Sequence, residues 1–264
     1  MLHTFERAAL EAGKAIMEVF KSGCTSARKA DNSPVTIADQ RAERIILGHL
    51  RRDFPDIPII AEESVAAGIV PAIGASFLLV DPLDGTREFL DRRREFTVNI
   101  ALVRDGRPVV GIVFAPALGV AFSGEDGIAE KLFINRDFAV ERRLIIGVRP
   151  QPVKRTALAS RSHDSPQTAR FLAENAISEC TNIGSSLKFC LLAEGEADVY
   201  PRFTRTMEWD TAAGDAVLRA AGGSTLTLDG KPLTYGKTSQ THDCDFANPD
   251  FISWGGASSV AERA

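Results

Sequence analysis

The chain has little of what redox centres, soft-metal sites or nucleic-acid surfaces are made from. Its four cysteines, Cys24, Cys180, Cys190 and Cys244, lie far apart with no CxxC spacing. Neither a zinc centre nor a disulfide framework is expected, and reduced thiols in a cytoplasm are the simplest reading. The four histidines, His3, His49, His163 and His242, are never spaced as a metal-binding pair. A surplus of positive charge is also missing: 31 Lys and Arg stand against 35 Asp and Glu, a formal net charge of -4. Without a basic footprint no nucleic-acid partner is expected, so an anionic ligand must be held by local charge or by metal. No run approaches the roughly 20 apolar residues of a membrane span, and the N-terminus lacks a signal peptide's uninterrupted apolar stretch.

What is present is the pattern of a globular protein, long enough at 264 residues to bury a large core as one domain or as two lobes. Phe5, Ala9, Ala12, Ile16, Val19 and Phe20 recur at helical spacing with Glu6, Arg7, Lys14 and Glu18 between them, which predicts a core-packing helix. Residues 29 to 35 read as a loop. Thr36 and Asp39 form a capping pair that opens a helix running to Leu50. Ile57 to Ala61 and Phe77 to Val80 read as short buried strands, and Phe96 to Ser123 as an antiparallel meander turning at Arg104-Asp105-Gly106 and at Ala115-Pro116. The second half alternates: strand at Thr156 to Ser160, helices at Pro166 to Asn175 and Ser186 to Ala193, strand at Ala197 to Tyr200, helix at Thr211 to Ala221, strand at Ser224 to Leu228. This change of rhythm predicts an N-terminal lobe, 1–150, dominated by antiparallel sheet, and a C-terminal lobe, 151–264, of layered α/β type.

Acidic residues gather in three places: Glu62-Glu63 after one predicted strand, Asp81 and Asp84 in the Asp-Pro-Leu-Asp-Gly-Thr turn after another, and Asp210 at the start of a helix. Each alone has a plain reading, as a solvated loop, a surface turn or a helix cap. Together they describe something else. Pro82 fixes φ and Gly85 opens geometries closed to other residues, so the turn can aim two carboxylates and a carbonyl at one point. Four carboxylates and the Leu83 carbonyl make an all-oxygen set that suits a hard cation such as Mg²⁺. Carboxylates so close repel one another unless cations neutralise them, and Mg²⁺ shares its shell readily with phosphate oxygens. Phosphoryl transfer, most simply to water, is the reaction implied.

Glu62-Glu63-Ser64, the 81 to 86 turn followed by Glu88-Phe89, and Trp209-Asp210-Thr211-Ala212-Ala213-Gly214 resemble, in order and spacing, the signature of the inositol monophosphatase-like, Mg²⁺-dependent, lithium-sensitive phosphatases. Longer strings are similar to the bacterial 3′(2′),5′-bisphosphate nucleotidases of sulfur assimilation within that superfamily. They are residues 29 to 36, Glu95 to Leu102, Ser160 to His163, Ile183 to Cys190 and Tyr200 to Phe203. The resemblance runs from residue 5 to residue 235.

It implies an α+β fold, the layered αβαβα sandwich of the inositol monophosphatase and fructose-1,6-bisphosphatase type. It implies two Mg²⁺, with a third, weaker ion near Glu62 in some relatives. Glu62, Asp81 and the Leu83 carbonyl would hold the first and Asp81, Asp84 and Asp210 the second, with Asp81 as bridge. Thr86, paired with Asp39, would orient and help deprotonate the attacking water, and the Gly85 and Thr86 amides would face the phosphate. Ser185, Ser186, Lys188 and Arg202 would hold a 5′-phosphate, and His163 would stack on adenine. The expected partner is a small phosphorylated molecule, adenosine 3′,5′-bisphosphate, cleaved to AMP and phosphate. Rival substrates within the class are inositol phosphate, fructose bisphosphate and histidinol phosphate, and a rival of another class is a non-catalytic metal and nucleotide sensor. The resemblance also brings homodimers and loose inner-membrane association, which no residue here selects. Residues 64 to 75 resemble the inositol monophosphatases more, residues 127 to 136 lack the Gly-rich turn of relatives, and the tail after Tyr235 matches nothing.

Overall fold

The structure is a computed structural model that describes residues 1–23, 26–28, 34–160 and 165–256. His163 and residues 29 to 33 of the first nucleotidase-like string lie outside the described residues. The chain opens with α1 (Leu2–Ser22), the short strands β1 (Ser26–Arg28) and β2 (Pro34–Thr36), α2 (Ile37–Asp53), β3 (Ile59–Ala61), α3 (Glu62–Ala66), β4 (Ser76–Asp84) and α4 (Thr86–Leu90). A meander follows: β5 (Thr97–Arg104), β6 (Arg107–Ala115), β7 (Val120–Glu125), β8 (Ile128–Ile134) and β9 (Val140–Ile146). The remainder is β10 (Thr156–Ser160), α5 (Pro166–Glu174), β11 (Glu179–Ile183), α6 (Leu187–Ala193), β12 (Val199–Arg202), α7 (Glu208–Ala220), β13 (Ser224–Thr227) and β14 (Phe251–Trp254).

Five layers result. The larger sheet has seven strands in the order β3-β4-β5-β6-β7-β8-β9, antiparallel except for the parallel β3–β4 pair. Its strands alternate two apolar faces. Leu78, Val80, Ile100 and Leu102 pack with Phe5, Ala12 and Ile16 of α1 and Ala42 and Ile46 of α2. Phe77, Leu79, Ala101, Val103 and Val113 pack with Leu187 and Phe189 of α6 and Ala213 and Val217 of α7. Behind α6 and α7 stands the second sheet, β11-β10-β12-β14-β13, parallel from β11 to β12 and antiparallel beyond. Its outer face takes Phe171 and Leu172 of α5 against Ala157, Val199 and Trp254. The αβαβα sandwich expected from the resemblance is the fold observed.

Local chemistry explains most of the elements. Thr36 N donates to Asp39 Oδ2 at 2.7 Å while Thr36 Oγ1 accepts from Ala38 N at 3.0 Å, so α2 starts on the expected capping pair. Arg104 pairs with Arg107 across Asp105-Gly106, whose φ of 49° and 73° belong to a two-residue hairpin turn. α7 lies very close to the larger sheet because Gly111 lacks a side chain: a Cβ there would sit 2.6 Å from the Ala213 carbonyl. Six strands were not expected, among them the short antiparallel pair β1 and β2, whose Pro34 and Val35 fall in the expected loop. β8 and β9 carry interleaved charge, with Glu141, Arg142, Arg143 and Leu144 exposed on an edge strand. β11 is largely exposed at the other sheet's edge, and β14, in the tail that matches nothing by resemblance, runs between β12 and β13.

Candidate active site

The acidic residues converge because the fold brings separate element ends together. β3 and β4 run parallel with Ala61 opposite Val80, so Glu62 and Asp81 follow side by side. Glu62 opens the short helix α3, not the solvated loop that Glu62-Glu63 alone would suggest, and the N-cap of α3 is Ala61, a residue with no capping group. Glu43 of α2 serves instead: its Oε2 accepts from Glu63 N at 2.8 Å and its Oε1 from Ser64 Oγ at 2.7 Å. The expected 81 to 86 turn also differs, since Asp81 through Asp84 stay in β4 with a register shift between them. Such a bulge re-aims side chains without ending the strand. Leu83 N donates to Asp81 Oδ1 at 2.9 Å, and Gly85 then takes φ 90°, beginning α4.

Thr86 meets Asp39 as the resemblance implies. Its Oγ1 lies 3.2 Å from Asp39 Oδ1 and 3.2 Å from the Leu83 carbonyl, while Asp39 Oδ2 is already held by Thr36 N and Thr36 Oγ1, each at 2.7 Å. Asp39 therefore caps α2 and receives the Thr86 hydroxyl with its two oxygens. Asp210 is not the N-cap of α7; it lies in the first turn, and its Oδ2 accepts from Met207 N at 2.8 Å.

Ser186 stands where the acidic elements meet. It was expected to face a substrate phosphate, but its N–H and Oγ donate to Asp84 Oδ2 at 2.6 and 2.9 Å, its Oγ also lies 2.7 Å from the Asp210 carbonyl, and it accepts from Asn99 Nδ2 at 2.8 Å. Buried and fully engaged, Ser186 ties Asp84 to α7. Ser185 beside it takes the left-handed φ of 55°, an uncommon conformation for a serine. Lys188 is buried, donating from Nζ to the Ile183 and Ser185 carbonyls at 3.2 and 2.6 Å. Arg202 donates from Nε to the Thr204 carbonyl at 3.0 Å and from Nη2 to the Arg205 carbonyl at 3.3 Å.

Thr86, Ser185 and Ser186 line one cavity of about 240 Å³, to which Glu62, Asp81, Asp84, Glu88 and Asp210 bring carboxylates and Arg87, Lys188, Arg202 and Arg205 cationic side chains. The electrostatics are those of a crowded anion cluster. Burial, and then the carboxylates of Glu62, Asp84 and Asp210, push Asp81 well above the ordinary carboxylate value. Burial, with Asp84 and Glu62, does the same to Asp210. Asp84 is raised by burial, against the opposing pull of Lys188 and Ser186. Asp39 is raised, mainly by burial, and Lys188 is lowered by burial to about 8.

Among the described residues no three acidic, histidine or cysteine side chains are already gathered in ion-holding geometry. The donors fit a hard cation all the same. Asp81, Asp84 and Asp210 each have one oxygen tied to the scaffold, which leaves the second for the cavity or, for Asp81, for Glu62. Across from Asp81 and Asp84 on β5, Asn99 Oδ1 and Thr97 Oγ1 are buried with no hydrogen-bond partner. Oxygen is the only donor type in the set.

Glu43, Asn99 and Arg205 were not singled out from the sequence. Glu43 had a signal: it lies four residues after Asp39, on the same helix face. Asn99 and Arg205 had none short of the fold, since each reaches the site from a distant strand or loop.

A profile of the inositol monophosphatase family matches residues 1–249. The chain is 42% identical over 253 residues to the 3′(2′),5′-bisphosphate nucleotidase CysQ of Escherichia coli strain K12, spanning 95% of this chain and 98% of that one. To the CysQ nucleotidase of Buchnera aphidicola it is 37% identical over 255 residues, 96% of this chain and 93% of the other. Among solved structures, CysQ from Bacteroides thetaiotaomicron superposes with a TM-score of 0.76 at 36% identity, covering 95% of each chain.

Proposed function

Because the chain belongs to the inositol monophosphatase family, we propose from that premise that it is a 3′(2′),5′-bisphosphate nucleotidase, hydrolysing adenosine 3′,5′-bisphosphate to AMP and phosphate. One observation carries the reading beyond the likeness to the CysQ proteins. A single cavity has anionic residues fit for hard cations and, facing them, cations fit for a second phosphate. An enzyme for a simple monoester has no use for the second set.

Glu62, Asp81 and the Leu83 carbonyl would hold one Mg²⁺, and Asp81, Asp84 and Asp210 another. When bound, such ions neutralise the phosphoryl oxygens and acidify a neighbouring water. The protein's own residues do the positioning. The Thr86 hydroxyl, donating to Asp39 Oδ1, keeps a lone pair to accept from the attacking water and hold it in line with phosphorus. The water oxygen bonds to phosphorus as the P–O3′ bond breaks, and the 3′-oxygen leaves as the hydroxyl of AMP, taking up the proton that the water gives up. No covalent nucleophile is needed. The Gly85 and Thr86 amides face the reacting phosphate, and Lys188, Arg202 and Ser185 face the 5′-phosphate, with Ser186 supporting them from behind. His163 remains the proposed adenine contact.

The two sheets correspond to two lobes, 1–150 and 151–264, with the substrate between them; a cytoplasmic enzyme of sulfur metabolism is the matching cellular reading. Phosphate release should be measured, with and without Mg²⁺, from adenosine 3′,5′-bisphosphate, inositol 1-phosphate, fructose 1,6-bisphosphate and histidinol phosphate. The bisphosphonucleotide is expected to give the highest kcat/KM, strictly with Mg²⁺. Preference for inositol 1-phosphate would overturn the substrate, and release from none of them would favour a non-catalytic sensor.

A further inference from the structure

Two arginines that line the cavity, Arg87 and Arg205, have no part in the nucleotidase reading. Arg205, on the segment between β12 and α7, lines the same cavity as Lys188, Arg202 and Asp210. Lys188 and Arg202 are buried and spend part of their donor capacity on backbone carbonyls. Arg205 differs. Its side chain is 56% exposed at the mouth, where Nη2 lies 3.2 Å from Asp243 Oδ1 and also touches Cys244 Sγ. Its Nε and Nη1 donate to nothing among the described residues. An ion pair this open to water is weak, so Asp243 keeps the guanidinium at the mouth without locking it there. A phosphate offers the paired oxygens that the guanidinium fork fits best.

We propose that Arg205 is a specificity-determining residue: it takes the substrate's second, non-reacting anionic group, with Asp243 as the counter-charge that holds it ready. The inference rests on the nucleotidase reading and deepens it. Lys188 and Arg202 meet that group from the buried side, and Arg205 closes on it from the solvent side, moving off Asp243 as it does so. A substrate with no second anionic group leaves Arg205 on Asp243.

The test compares wild type, Arg205→Ala and Arg205→Lys on adenosine 3′,5′-bisphosphate and on adenosine 3′-monophosphate, which presents the same reacting phosphate and lacks the other. With saturating Mg²⁺, Arg205→Ala is expected to lose roughly ten- to a hundredfold in kcat/KM on the bisphosphate, the scale of a charge-assisted contact. On the monophosphate it should stay within about twofold. Arg205→Lys, which keeps the charge but not the fork, should fall between. Because the side chain is exposed, the melting temperature should not move, which separates lost contact from lost fold. An unchanged bisphosphate kcat/KM, or equal losses on both substrates, overturns the inference while leaving the nucleotidase reading in place. A wild-type enzyme with no preference for the bisphosphate overturns that reading, and this inference with it.

Discussion

Replacing Glu43 by alanine is expected to weaken Mg²⁺ binding although Glu43 does not face the proposed ions. α3 begins at Glu62 behind an alanine, so its first amides have no local cap. The buried Glu43 carboxylate supplies that cap from α2, through contacts of 2.8 Å to Glu63 N and 2.7 Å to Ser64 Oγ. A lost cap costs about 1 kcal/mol, and a lost hydrogen bond to a charged group about 1.5–3 kcal/mol. The two overlap here, so about 2–3 kcal/mol is at stake, which lowers the melting temperature by roughly 5–10 °C in a chain of this size. Glu62 is the first residue of the loosened turn, and even half of that energy spent on re-forming it weakens Mg²⁺ binding about fivefold to tenfold. Glu43→Gln is the control: its carboxamide oxygen can accept from Glu63 N while its NH₂ donates to the Ser64 hydroxyl, so most of the loss should return. Calorimetric titration with Mg²⁺, alongside thermal melting of both variants, reads the two effects separately. Wild-type Mg²⁺ affinity in Glu43→Ala, or a Gln variant no better than Ala, would refute the reasoning.

Thr86→Ala should lower kcat by about 10²–10⁴, the range for a lost proton-handling group, while Thr86→Ser keeps the hydroxyl and most of the rate; kcat at saturating Mg²⁺ checks both. Burial raises Asp81, Asp84 and Asp210 above their unfolded values, so the metal-free native state binds more protons than the unfolded chain. Their contribution is present at low pH and is lost as pH rises from about 4 through the raised values. Mg²⁺ needs the ionised carboxylates, so the gap in melting temperature between Mg²⁺-loaded and chelated protein should widen from pH 5 to pH 8; a constant gap would contradict it. Gly111→Ala puts a Cβ 2.6 Å from the Ala213 carbonyl, and pushing α7 off the sheet should cost about 1–3 kcal/mol in a urea melt.

The parts legible in sequence were those with local causes. The capping pair at Thr36 and Asp39, the hairpin at Asp105-Gly106 and the apolar runs of β4 to β6 each follow from neighbouring residues. The order of the acidic motifs carried the family. The invisible parts are set by packing. β9 is an exposed edge strand whose charges hide its alternation, and β14 becomes a strand only because β12 and β13 flank it. In the site, Ser186 read as the opening of a helix and hence an anion binder, because the sequence does not contain the information that Asp84 and Asp210 lie against it. The same absence hid Arg205, whose partner Asp243 belongs to a loop that no motif marks.

The orientation of the carboxylates follows from how the scaffold holds each one. Like charges this close would swing apart toward water if each were free, since burial and mutual repulsion both disfavour them. Three of them cannot, because each is anchored by one oxygen to donors on a different element: Asp81 to the Leu83 amide, Asp84 to Ser186 and Asp210 to the Met207 amide. The anchors sit on the strand bulge of β4, the turn before α6 and the start of α7, and the latter two are joined by the Ser186 contact with the Asp210 carbonyl. The larger sheet therefore supplies part of the anion cluster and the helix layer between the sheets supplies the rest. The repulsion is held in the folded state as raised proton affinity rather than released as movement. A site built this way fixes one oxygen of each carboxylate, so a divalent cation has only the second oxygens to gather. The second half of the chain contributes a carboxylate because α7, packed between the two sheets, brings Asp210 into the cavity that Asp81 and Asp84 line.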